Sequence, residues 1–377
     1  MEIRGKYNTA HIFTDNIDEA ALSQIYNMLN IPCFDNCRIA IMSDVHLGKG
    51  SVVGFTMTFN NFVNPSVIGV DIGCGIIAYN IGQQKINLKK FDHFIHSKIP
   101  AGSQVHDKSN KSNKQYSKET NQFEKVINKV ASNEHQRILL SIGTLGGGNH
   151  FIELDKDEKH NIWLVIHTGS RNFGLQVCNY HQQIAKQRLK NEFKGAGAYH
   201  GIEYLALDNG GEEYLHDMDI AQKYAELNRE VIAKTIIEEF FSLKLNNCEK
   251  ISSIHNYINF KDNIVRKGAI SAHKGEPVII PLNMRDGCII GKGKGNKLWN
   301  FSAPHGAGRI LRRSESRELL SLEEYQETMK GIYSSCINRQ TLDESPMVYK
   351  DSNEIQKLIA ETVTIESIIK PIYNFKG

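Results

Sequence analysis

What this chain lacks narrows it first. No apolar run in its 377 residues approaches the length of a membrane span, which excludes a helical membrane protein. The segment from Met1 to Asn8 is polar and charged, so no signal peptide is expected and a cytoplasmic location is. The 7 cysteines are odd in number and irregularly spaced, which argues against a disulfide framework and for reduced core thiols. Excess charge of one sign is missing too: 45 Lys and Arg against 42 Asp and Glu give a formal net charge of +3. That excludes histone-like binding of a polyanion and leaves room for a local basic groove. There is no internal repeat and no Pro/Ser/Gly linker. The chemistry-bearing segments run from Asp44 to Lys376, so one interwoven domain over residues 1–377 is expected.

What is present is a composition of 40% hydrophobic and 23% charged residues, that of a soluble globular chain. Ile162-Trp163-Leu164-Val165-Ile166 has strand character, and Leu139-Leu140-Ser141-Ile142 is read as a strand-like apolar stretch. Helical spacing is predicted over 220–240, carried by Ile220, Tyr224, Leu227, Val231 and Ile236, and over 352–365, carried by Ile355, Leu358, Ile359 and Val363. Short strands alternating with a few helices point to an α/β or α+β architecture. Residues 99–121, rich in lysine, serine and asparagine, read as a flexible surface loop, and Gly291-Lys292-Gly293-Lys294-Gly295 as a hairpin tip, since no Walker-type sequence follows it.

Two distant clusters stand out. Asp71-Ile72-Gly73-Cys74-Gly75 offers a carboxylate and a thiol in a glycine-opened turn, as a metal site does. His305-Gly306-Ala307-Gly308-Arg309 sets an imidazole and a guanidinium among small residues, as a phosphate-handling nucleophile requires. Between them Gly148-Asn149-His150, His167-Thr168-Gly169-Ser170-Arg171 and His255-Asn256-Tyr257 each place a histidine among small or polar residues. Taken singly, such residues read otherwise. His150 or His167 alone is more often a hydrogen-bonded structural histidine, Cys74 a buried thiol, and Arg309 a helix cap.

Together, and in order, these segments resemble the RtcB family of RNA-splicing ligases. The resemblance runs from Ser43-Asp44-Val45-His46-Leu47-Gly48-Lys49-Gly50 through the segments above, Phe151-Ile152-Glu153, Arg266-Lys267-Gly268-Ala269 and Tyr349-Lys350-Asp351 to Lys376-Gly377. It implies mixed sheets around a central dinuclear metal and guanylate site. The activity it implies is GTP- and Mn²⁺-dependent joining of RNA 3'-phosphate or 2',3'-cyclic phosphate ends to 5'-hydroxyl ends, in RNA repair or tRNA splicing.

Residue by residue, the resemblance implies two metal ions on Asp71, Cys74, His150, His167 and His255, with the thiolate shared. His305 would be the nucleophile that takes GMP, and Asp44 would orient ligands or phosphate. Arg171, Arg309, Arg266 and Lys267 would contact phosphate. Asn149, Phe151, Glu153, Cys288, Gly306, Ala307, Gly308, Tyr349 and Lys376 would surround the nucleotide. By ligand softness alone the Cys/His/Asp set suits zinc; Mn²⁺ comes from the resemblance.

Three places depart from the family pattern: Cys288 stands where serine is usual, Pro304 precedes His305, and Asn172-Phe173 follows Arg171. They suggest a divergent branch, some members of which are encoded beside a peptide release factor homologue. The partners implied are RNA ends, that homologue and an archease-like helper; a monomer is expected. A metal-dependent RNA phosphodiesterase or end-phosphatase is the alternative, sharing the metal set without the guanylated histidine.

Overall fold

The computed structural model describes residues 1–107, 117–192 and 201–377. Short runs of β-branched and aromatic residues build two main sheets. The smaller has six strands in the order Glu2–Arg4, Thr9–Ile12, Ile39–His46, Val53–Thr58, Ile264–Lys267 and Asn256–Asn259. The larger has seven, in the order Glu249–Ile254, Gly75–Asn80, Ile162–Thr168, Phe151–Lys156, Val363–Lys376, Gly287–Gly293 and Pro277–Asn283, each antiparallel to its neighbours. With helices packed on it, this is the expected mixed α+β architecture.

The larger sheet wraps round until its two outer strands meet, where Ile279 N donates to Ser253 Oγ at 3.0 Å. Side chains from all seven strands fill the inside: Ile76, Ala78, Phe151, Trp163, Val165, Ile251, Ile279, Cys288, Ile290 and Ile369. The opposite face carries Ile77, Tyr79, Ile152, Leu154, Leu164 and Ile166. These pack against Phe91 and Ile95 of the helix Leu88–Lys98 and Ile232 and Ala233 of the helix Glu212–Lys234. Because side chains alternate along a strand, Glu153 and Asp155 follow Phe151 to the inside.

Several predicted elements change. The helix predicted over 220–240 starts earlier, at Glu212, and continues beyond Lys234 as a wider π-helical turn, Thr235–Phe240. The one predicted over 352–365 ends at Leu358, with Asp351 as its N-cap, and Val363 already opens the strand Val363–Lys376. Ile355, Ile359 and Val363 had helical spacing because helix, turn and strand share one core. The stretch 139–142 is not a strand: it ends the helix His135–Leu140, a four-residue apolar run being too short for its period to decide. Residues 291–295 are no hairpin tip, since Gly287–Gly293 is paired on both edges. Of the expected loop over 99–121, residues 108–116 lie outside the described residues, and its last part belongs to the helix Ser117–Ala131. Among the described residues no helix is long and apolar enough to cross a membrane.

The helix Glu212–Lys234 ties the sheet's loops together through two polar residues on its buried face. Asn228 Oδ1 accepts from Gly143 N at 2.7 Å and Thr144 N at 3.1 Å, and its Nδ2 donates to Thr144 O and Gly169 O, both at 3.1 Å. Arg229 Nη1 donates to Gly73 O at 2.7 Å and Thr168 O at 2.8 Å. Substituting Asn228→Ala strands four buried backbone groups, so stability should fall by about 3 kcal/mol. A lowered urea midpoint for Asn228→Ala, with exposed Glu226→Gln unchanged, is the expected result.

Candidate active site

Strand pairing brings the sequence-distant histidines to one end of the larger sheet. Cys74 immediately precedes Gly75–Asn80, His150 precedes Phe151–Lys156, His255 follows Glu249–Ile254, and His167 is the second-last residue of Ile162–Thr168. In the antiparallel register Ile76 faces both Ser253 and His167, and His167 faces Phe151, so these ends coincide. Cys74 Sγ lies 3.3 Å from His167 Nε2 and 3.5 Å from His150 Nε2. His167 Nε2 lies 3.3 Å from His255 Nε2, and His150 Nε2 lies 3.0 Å from Asp71 Oδ2.

The Nδ1 atoms of His150 and His167 sit 3.0 Å from Leu145 O and 3.1 Å from Asn149 O. A carbonyl can only accept, so each Nδ1 carries the proton and each Nε2 presents its lone pair to the cluster. Burial pushes the imidazoles of His167 and His255 well below their ordinary range, which keeps them neutral. Facing lone pairs repel unless a proton or a cation lies between them, and Cys74, buried among His150, His167, His255 and Asp71, completes a donor set that fits divalent metal. Gly169 is required here by close approach: a Cβ would lie 2.1 Å from Asp71 Oδ1, which accepts from Ser170 N at 3.2 Å.

His305 stands beside this cluster, its ring centroid 4.8 Å from that of His255. Its Nδ1 is 2.8 Å from Oδ2 of the buried Asp44, so the carboxylate holds the Nδ1 proton and Nε2 is left with its lone pair. The close packing needs Gly308, whose φ is +72° and whose Cβ would meet Asp44 at 3.2 Å. His167, His255 and His305 open onto a cavity of about 800 Å³, within the size range of ligand sites. Asn149, Phe151, Glu153, Gly306, Ala307, Gly308, Arg309, Tyr349 and Lys376 line it as well.

A residue the sequence reading missed organises the far wall. The buried Glu344 accepts from Lys376 Nζ at 2.9 Å and Tyr349 OH at 2.7 Å, and pairs with Arg313 at 2.7 Å and Arg309 at 3.5 Å. Burial works to raise its carboxyl, but Lys376 and Arg313 outweigh it and hold it at about 2. Arg309 also lies over the Tyr349 ring, 5.4 Å from its centroid. In the sequence Glu344 carries no signal beyond standing five residues before Tyr349. Asn228 and Arg229 carried little more, being polar positions beside Leu227 in a helix that also buries Asp217.

Not every expected site residue reaches the cavity. Cys288 is fully buried inside the wrapped sheet, near Asp155, and is not part of the cavity wall. Arg171 spends its donors on Thr144 Oγ1 at 3.2 Å and Gly102 O at 3.0 Å, bracing loops behind Asp71. Arg266 is paired with Asp262 at 2.8 Å and Ser302 Oγ at 2.8 Å, Lys267 reaches the carbonyls of Lys49 and Ser66, and neither lines the cavity.

Residues 24–377 match the family model described as tRNA-splicing ligase RtcB. The chain is 28% identical to the RNA-splicing ligase RtcB of Escherichia coli K12, over 96% of this chain and 95% of that one. It is 26% identical to the tRNA-splicing ligase RtcB of Nanoarchaeum equitans, over 96% and 92%. With the RNA-splicing ligase RtcB2 of another Escherichia coli strain it shares 25% identity, over 96% and 93%.

The donor geometry makes a direct prediction for metal binding. Cys74→Ala should weaken Mn²⁺ binding by roughly 100-fold or more, and the wild type should release a proton on binding that the variant does not, because a thiol must ionise to ligate. Titration calorimetry in two buffers of different ionisation enthalpy measures both; equal affinity and equal proton release would count against the cluster as a metal centre.

Proposed function

The chain belongs to the RtcB family, and from that premise we propose that it is an RNA ligase that uses GTP and Mn²⁺ to join a 3'-phosphate or 2',3'-cyclic phosphate end to a 5'-hydroxyl end through guanylated His305. The observation that carries this reading is the Asp44–His305 pair at 2.8 Å, set beside the Cys/His cluster at the mouth of a nucleotide-sized cavity.

Metal ions held by Asp71, Cys74, His150, His167 and His255 would draw charge off the phosphates. The protein's own residues do the rest. Asp44 retains the Nδ1 proton, so Nε2 of His305 attacks the α-phosphorus of GTP; a P–N bond forms, the bond to the bridging oxygen breaks, and pyrophosphate leaves. Arg309 and the glycines Gly306 and Gly308 let phosphate oxygens come close to guanidinium and backbone. A cyclic end first takes up water, which breaks its P–O2' bond and leaves a 2'-hydroxyl and a 3'-phosphate; an oxygen of the RNA 3'-phosphate then displaces His305 and takes GMP. The 5'-hydroxyl finally attacks the RNA phosphorus, loses its proton, and expels GMP.

Phe151, Tyr349 and Lys376 give the base an aromatic and cationic surround, with Glu153 as an acceptor for its edge. Around the mouth, the guanidinium groups of Arg312 and Arg313 offer charge to the phosphates of an RNA end without reading its sequence.

Incubation with α-labelled GTP and Mn²⁺, followed by a denaturing gel, tests this. Wild type should carry acid-labile label, His305→Ala none, and Asp44→Asn roughly 100-fold less per unit time, since the amide favours the wrong imidazole tautomer. Full labelling of His305→Ala would move the nucleophile elsewhere. Removal of phosphate from RNA ends with no adduct at all would favour the phosphodiesterase reading.

A further inference from the structure

Behind the nucleotide wall, inside the wrapped sheet, Glu153 is backed by two side chains that the ligation chemistry does not use. Oxygens of Glu153 and Asp155 and the sulfur of Cys288 all lie within 4.8 Å of one another. Glu153 is 3% exposed, Asp155 and Cys288 not at all. Neither oxygen of Asp155 has a hydrogen-bond partner; what faces it is the Cys288 thiol, a weak donor.

The surroundings of the pair are asymmetric. Across the strand Val363–Lys376, Asn374 Nδ2 donates to Glu153, and the Lys376 ammonium is near it while bonded to Glu344. On the other side the residue opposite Glu153 is the apolar Val165. Asp155 sits opposite Trp163 and Pro371, and the Lys370 ammonium that acts on it from a distance is exposed and engaged with Asp286 O. Two carboxylates this close and this buried cannot both be ionised. Charge therefore belongs on Glu153, which has an amide donor and a nearby cation, and the proton on Asp155, which has only a thiol and a distant ammonium.

We propose that Asp155 stays the acid, that Glu153 alternates between acid and carboxylate at the cavity wall, and that the cavity's choice between guanine and adenine turns with pH as a result. This inference rests on the reading of the cavity as a purine nucleotide site. The recognition chemistry is a matter of donors and acceptors. Guanine presents two neighbouring donors, N1–H and N2–H, and an ionised carboxylate accepts both. Adenine presents an acceptor at N1 beside a donor at N6, and only a protonated carboxyl, with one O–H and one carbonyl oxygen, matches that pair. Burial pushes the Glu153 carboxyl up to about 7, against the pull of Lys376 and Asn374, which places the change near neutrality.

The test is equilibrium binding of GMP and of AMP to the full chain without metal, between about pH 6 and about pH 8.5. The ratio of the two affinities removes whatever pH dependence the two nucleotides share. In the wild type the ratio should move towards GMP by roughly tenfold or more as pH rises through neutrality. Glu153→Gln, whose amide always offers one donor and one acceptor, should stay at the low, wild-type acid-side ratio at every pH. Asp155→Asn, isosteric with the protonated acid, should keep the wild-type profile and midpoint.

A ratio that does not change with pH while both nucleotides bind would overturn this inference alone. A midpoint displaced in Asp155→Asn would overturn it too, by showing charge on Asp155, and so would a divalent ion bound by wild type and lost from that variant. Failure of either nucleotide to bind would overturn the nucleotide reading together with it.

Discussion

At the end of the larger sheet the Nε2 atoms of His167 and His255 face each other at 3.3 Å, with the Cys74 sulfur 3.3 Å from the first. Without a proton or a cation between them these lone pairs repel, so the fold must hold them there, and much of the interior serves that end. Backbone carbonyls of Leu145 and Asn149 turn two of the imidazoles. Arg229, buried in the helix Glu212–Lys234, clamps the carbonyls of Gly73 and Thr168 from behind; burial and the Asp71 carboxylate push the Cys74 thiol well up, and the Arg229 charge opposes them. Asn228 fixes the loops at Gly143, Thr144 and Gly169 from the same helix. Energy given up in assembling such a cluster would be recovered when a cation enters it, which would couple metal binding to the stability of this end of the molecule.

The cavity beside the cluster obeys a second constraint, charge balance. Arg309, Arg313 and Lys376 bring three positive groups to a partly buried wall, and Glu344 meets all of them. Without that carboxylate the wall would repel itself; with it, Lys376 and Tyr349 are already oriented before a nucleotide arrives. Preorganisation of this kind lowers the conformational entropy lost on binding. The wrapped sheet supplies the remaining wall, and alternation along Phe151–Lys156 sends Phe151 and Glu153 to the same side.

The sequence made part of this readable and hid the rest for physical reasons. Histidines placed just beyond or at the end of apolar strands, as His167 is after Ile162–Ile166, could be read as strand-end residues, and the order of the motifs pointed to the family. Which of those residues would touch was a matter of register, which only the strand pairing reveals. Arg171, Arg266 and Lys267 were read only as phosphate ligands because a cation near a motif shows no partner in a sequence: Thr144 and Ser66 are far away along the chain, and nothing in the sequence marks Asp262, four residues before Arg266, as its partner. Glu344 escaped notice for the converse reason, since its partners Arg313, Tyr349 and Lys376 are gathered from three segments. Helix ends shifted where a core crosses element boundaries, as it does from Ile355 to Val363.

The central claim is that His305, oriented by Asp44, activates a phosphate carried by the RNA 3' end, and the fate of that phosphorus tests it most directly. RNA labelled at its 3'-terminal phosphate is joined to an unlabelled 5'-hydroxyl strand with GTP and Mn²⁺, and the product is digested to nucleotides. The account predicts the label inside the new linkage, resistant to phosphatase before digestion. Label released as free phosphate, or a junction whose phosphorus derives from a 5'-phosphorylated strand, would contradict it.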